Sequence, residues 1–169
     1  MRHRLVVVAP STVEVVRSAG GWLFDQVMAG WDATVLTADH ADPRPLRILG
    51  ARAVDLECAM AAPVRGPGPQ AIAVDADLYG LDARVRRMVR EALEGGVADV
   101  RLWGDRCPAD LNSGVGSVQH RLSVAARAFK AQALAAAAAP TGSIDVTEVF
   151  RSGELPHVPG TSDPEPAAL

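Results

Sequence analysis

Lysine is nearly missing from this chain. Lys130 is the only one among 17 basic residues, the other 16 being arginine. A phosphate-cradling P-loop of the form G-x-x-x-x-G-K-[ST] needs a lysine next to its glycines, and Lys130 sits far from any such loop, so that site is excluded. The same shortage removes an active phosphoacceptor receiver, which needs an acidic pair after its first strand and a lysine after its fifth. Pro10-Ser11 and Asp105-Arg106 stand in those places. Cysteine is scarce as well. Cys58 and Cys107 lie far apart and lack C-x-x-C spacing, which fits neither a disulfide framework nor a zinc site. Two reduced, partly buried thiols are the expectation.

Long apolar runs are absent too. None reaches the ~20 residues that span a bilayer. Residues 5–9, behind the positive Met1-Arg2-His3-Arg4, are too few for the apolar region of a secretory leader and are stopped by Pro10. A cytoplasmic setting with no membrane contact is the expectation. The net charge of −3 argues against nucleic-acid binding through overall charge. What is present is a globular composition. Of 169 residues, 49% are apolar and 22% charged, which excludes wholesale disorder and fits one domain.

Along the chain, strand and helix patterns alternate. Residues 4–9 are a continuous apolar run, the pattern of a strand buried on both faces. Ser11-Thr12-Val13-Glu14 matches the S-x-x-E capping box, and helical spacing continues over 12–29 to Gly30. Gly20-Gly21 inside it points to close approach against the sheet or a kink. Further strands are expected at 32–38, 51–56, 70–74 and 97–103. A short helix follows Asp42-Pro43, and a strongly amphipathic one runs from Asp82 to Gly95. Residues 63–69 read as a loop. A long helix is expected over 117–138 and a short strand or single turn over 144–150, after which the composition reads as a disordered tail. The sum is a single doubly wound, Rossmann-like or flavodoxin-like, three-layer α/β domain with a mainly parallel five-stranded sheet. It occupies residues 1–140, and residues 141–169 form a C-terminal extension.

In such a sheet ligands bind beyond the carboxyl ends of the strands. Ser11 and Thr12 follow the first strand, Asp39 the second, Asp75 and Asp77 the fourth, and Asp105 the fifth. These six are the candidate ligand-binding residues. The dinucleotide fingerprint G-x-G-x-x-G is absent, since the first loop is Ala-Pro-Ser-Thr-Val-Glu, although Asp39 stands where a ribose-binding acid would. Several of these carboxylates converging would suit a hard cation; the alternative is that each is solvated or caps a helix. Ser11 and Thr12 at a helix start suit phosphate, but Glu14 sets a negative charge there. Cys58, Cys107 or Ser11 paired with His40 lacks any nucleophile motif such as G-x-S-x-G. No metal site and no cofactor is identified. Trp22, off the apolar stripe, and Arg86 and Arg90, on a basic helix face, are candidate contacts for a protein partner or a second copy. No aromatics interleave with those arginines, which counts against single-stranded nucleic acid. The expectation is a non-catalytic binding or regulatory module acting through protein contact; the alternative is a small-ligand or nucleotide-binding protein or enzyme working at the strand ends.

Overall fold

In the computed structural model, the structure describes residues 2–39, 42–62, 66–97, 99–106 and 108–156. His40, Cys107 and His157, with the rest of the tail, lie outside the described residues. Among the described residues no helix is long and apolar enough to cross a membrane.

The fold is a mixed α/β arrangement of three layers around a seven-stranded, mostly parallel sheet. Its strands are β1 (Arg4–Ala9), β2 (Asp32–Thr37), β3 (Arg52–Asp55), β4 (Ala71–Asp75), β5 (Asp99–Trp103), β6 (Asn112–Arg121) and β7 (Thr147–Glu154), in the spatial order β3-β2-β1-β4-β5-β7-β6. The first five are parallel neighbours, while β7 is antiparallel to both β5 and β6. The five-stranded expectation is therefore corrected to seven. Residues 147–154 pair inside the sheet, although the composition around them is that of an extension.

The central strands follow from their sequences. Alternate residues of β1 supply the two faces. Leu5, Val7 and Ala9 join the core under α1 (Thr12–Met28), α2 (Arg44–Ile48) and α6 (Val124–Ala136). Val6 and Val8 face the opposite core, under α3 (Leu56–Ala61), α4 (Ala76–Leu81) and α5 (Ala83–Glu94). A strand apolar on both faces has no solvated side, so its sequence runs on without polar alternation.

The expected helix over 117–138 is two elements. Residues up to Arg121 belong to β6, and Ser123 starts α6, its Oγ accepting from Ala126 N at 3.0 Å. Val118 and Leu122 are four apart, which satisfies helical spacing and period-two alternation alike, and the serine cap decides between them. Two short helices were not expected. Asp55 and Asp75 end their strands and at once cap α3 and α4, accepting from Cys58 N at 2.9 Å and Leu78 N at 2.8 Å. Six residues are too few for a helical period to show.

Helix α1 carries an unusual insertion. Glu148 of β7 accepts hydrogen bonds from Gly21 N at 3.0 Å and Trp22 N at 2.6 Å, in the middle of the helix. Lys130 of α6 donates to Arg17 O and to Glu148, each at 2.7 Å. Arg17 O and Gly21 N are the acceptor and donor that one turn of a regular helix would join. A Cβ on Gly21 would fall 2.1 Å from Leu122 Cδ2, so this glycine is what lets β6's end approach the helix.

Candidate functional site at the strand carboxyl edge

The chain runs outward from β1 in both directions. β2 and β3 lie on one side, and β4 and β5 on the other. The order reverses at β1 and β4, and beyond the carboxyl ends of strands at such a reversal is where α/β sheets bind ligands. Register aligns the relevant ends. Val8 pairs with Val74, Ala9 with Thr37, and Asp75 with Trp103.

On the β2 side the side chains bind each other. Ser11 caps α1, its Oγ accepting from Glu14 N at 3.2 Å. Asp39 Oδ2 accepts from Thr12 N at 3.3 Å, and its own N–H donates to Pro10 O at 3.2 Å. Two of the free N–H groups at the helix start are thus already satisfied by protein oxygens. Thr12, Thr37, Asp39 and Asp55 help to line a shallow hollow of about 270 Å3. Glu14 does not turn back to close a capping box; its carboxylate accepts from Ser18 Oγ at 3.0 Å, one turn along the helix.

On the β4 side stands Asp75, 6% exposed at the end of a strand buried throughout. Burial pushes its carboxyl above the usual carboxylate range. The negative charges of Glu14 and Asp77 push the same way, against the N–H bonds from Leu78 and Asp77 that favour the anion. Asp77, in the first turn of α4, meets Arg106 Nε at 3.5 Å. With Ala76, Gly80, Leu81 and Pro108 these two line a second hollow, of about 410 Å3. Close behind it Tyr79, fully buried, donates its hydroxyl to Asp110 Oδ2 at 2.9 Å, and its pKa is pushed up to about 12 by burial and by the Asp110 charge.

The six candidate ligand residues therefore divide. Ser11, Thr12 and Asp39 form one group; Asp75 and Asp77 form another, joined by Glu14. Asp105 is an exposed turn residue after Gly104, whose φ of +108° only glycine adopts readily. Glu14, read from the sequence as a cap, and Arg106 were missed as site residues. The order of the strands brings Glu14 near Asp75; Arg106 carried only the signal of its place after the fifth strand. Among the described residues, no group of three or more His, Cys, Asp or Glu side chains is placed to hold a metal ion. Cys58 is an exposed free thiol, not a partly buried one. Its suggested partner His40 lies outside the described residues, as does Cys107.

The candidate partner contacts are occupied from within. Trp22 is 1% exposed, packed on Phe150 with ring centroids 5.2 Å apart and covered by the Arg101 guanidinium, so it is no exposed anchor. Arg86 Nη1 donates to Gly80 O at 3.0 Å and Tyr79 O at 3.3 Å, closing the end of α4. Arg90 Nη1 reaches Asp110 O and Oδ2, both at 3.4 Å.

No family model matches the chain, and no curated protein matches it in sequence. Its fold recurs in solved structures. A triple mutant of a deacetylase of the teicoplanin biosynthetic pathway superposes with a TM-score of 0.65 at 15% identity, covering 92% of this chain and 99% of the other. A deacetylase of an antimicrobial pseudoaglycone gives 0.59 at 16%, covering 90% and 98%. The 4-carboxy-2-hydroxymuconate hydratase of Pseudomonas putida gives 0.55 at 10%, covering 95% and 100%. At such identities the likeness is one of fold. The expectation of a non-catalytic module acting through protein contact is corrected to this extent: the named activities among these structural neighbours, alike over nine-tenths of the chain, are those of enzymes, deacetylases and a hydratase.

Proposed function

We propose that the chain is an enzyme that adds water to a small substrate, by hydrolysis or hydration, beyond the carboxyl ends of β1 and β4. The observation that carries this reading is Asp75, a buried carboxyl at the switch in strand order, pushed up by burial with Glu14 and Asp77 beside it. A carboxylate of raised pKa is a stronger base, which suits the abstraction of a proton from water. In the proposed step Asp75 takes one proton of a water molecule and the oxygen bonds to an electrophilic carbon. The electron pair displaced from that carbon, and then the proton, pass to the leaving nitrogen in hydrolysis or to the neighbouring carbon in hydration. The deacetylases and the hydratase that share the fold both carry out, by their names, a reaction that consumes water.

The test is a panel of N-acetyl amines and unsaturated carboxylic acids, followed for uptake of 18O from labelled water. Asp75→Asn keeps the helix cap, since Asn caps as well as Asp. It is expected to lower kcat by about 100-fold or more. Full activity in a folded Asp75→Asn protein would sink the proposal.

A further inference from the structure

Arg106 is loosely held. Its side chain is 83% exposed, and its contact to Asp77, itself 61% exposed, is a single approach of 3.5 Å through Nε. Arg84, by contrast, grips Glu57 through two nitrogens at 2.7 Å each, and Arg101 holds Asp99 at 3.0 Å. The terminal nitrogens of Arg106 have no hydrogen-bond partner among the described residues. A guanidinium presents a planar fork that matches a carboxylate through two parallel hydrogen bonds. The hollow it borders offers Ala76, Leu81 and Pro108 as apolar wall, and Leu81 is 84% exposed there. A leucine that bare, lining the same hollow as an arginine so weakly engaged, matches a ligand with an acid group at one end and an apolar body at the other.

We infer that Arg106 is a specificity-determining residue that receives a carboxylate of the substrate, whose apolar body rests on Leu81 and Pro108. The substrate class is thus a small carboxylic acid bearing an apolar group. This rests on the reading of the strand carboxyl edge as the working site, but the binding it describes is independent of turnover. Asp77 then serves as the resting partner of Arg106, giving way when the substrate acid arrives.

The probes are N-acetylleucine and its neutral isostere N-acetylleucinamide, titrated calorimetrically into the full chain. The acid is expected to bind about tenfold more tightly than the amide. Arg106→Gln should abolish that preference, and Arg106→Lys should retain only part of it. Asp77→Asn, which removes the competing carboxylate, should raise affinity for the acid about two- to fivefold. Equal binding of the two probes, a preference that survives Arg106→Gln, or no measurable binding of the acid overturns the inference. The same titration in Asp75→Asn separates the two claims. An acid preference kept there, with no turnover found in wild type, would defeat the proposed reaction while leaving the Arg106 assignment standing.

Discussion

Lys130 Nζ stands 2.7 Å from Glu148 Oε2, and the two side chains are 6% and 3% exposed. The only lysine of the chain is thus spent inside the protein, where it joins α6 to β7 and, through Arg17 O, to α1. Removing one member of a buried pair leaves the other charge without compensation, at a cost of about 3–5 kcal/mol, whereas replacing both costs far less. Lys130→Met alone is expected to fall in that range by urea denaturation. Lys130→Met combined with Glu148→Gln should recover part of the loss, and simple additivity of the two would contradict the coupling.

The adjacent glycines of α1 should respond in opposite directions. A Cβ on Gly20 finds Leu49 and Val16 at 3.4 Å, ordinary contact, so Gly20→Ala should be neutral or stabilise by up to about 1 kcal/mol through helix propensity. On Gly21 the Cβ runs into Leu122, and Gly21→Ala should cost about 1–3 kcal/mol. Thermal melts of the two variants check the contrast.

Asp75 and Asp25 should give stability profiles of opposite slope. The Asp75 carboxyl is raised in the folded protein, so its contribution is fully present below the unfolded value near 3.8 and is lost as pH rises through the folded value. Asp75→Asn is therefore expected to raise Tm at pH 7, with the gain shrinking toward pH 3.5. For Asp25, burial pulls upward, but hydrogen bonds from Ser123 and His120 prevail and hold the carboxyl below its usual range. Its contribution is present above 3.8 and is lost as pH falls through the lowered folded value. Asp25→Asn should destabilise at pH 7 and much less in acid. Denaturation midpoints measured from pH 3 to 7 report both slopes.

Tyr79→Phe leaves the ring in place and removes the hydroxyl that reaches Asp110. A hydrogen bond to a charged group is worth about 1.5–3 kcal/mol, and Arg90 remains to hold Asp110, so the lower end is expected. Spectroscopic titration of the phenol should show no ionisation below about pH 11, in keeping with a pKa near 12. An ordinary titration near 10 would show that the hydroxyl is not held as described.

What could be read in advance depended on range. The β1–α1 unit was legible because its signals are adjacent: a run apolar on both faces, Pro10, then Ser11 as cap. Asp39 and Asp75 were legible as strand ends for the same reason. The nearness of Glu14 to Asp75 was not, because it depends on β4 lying beside β1, a choice made by packing across a crossover. Gly20-Gly21 announced a close approach, but its cause sits far along the chain, in Leu122. The division between β6 and α6 was hidden because Val118 and Leu122 serve both periods. Arg106 resembles any surface arginine until Asp77 and Leu81 are seen beside it.

β6 reaches the sheet only through β7, which is made after it and lies between it and β5. The strand synthesised sixth has no neighbour to pair with until the seventh arrives, and until then β5 presents an open edge. Completion of the sheet, burial of Trp22 against Phe150, and closure of the Lys130–Glu148 pair therefore belong to one late event. Without residues 147–154, Lys130 would lack its acid partner and β6 its link to β5.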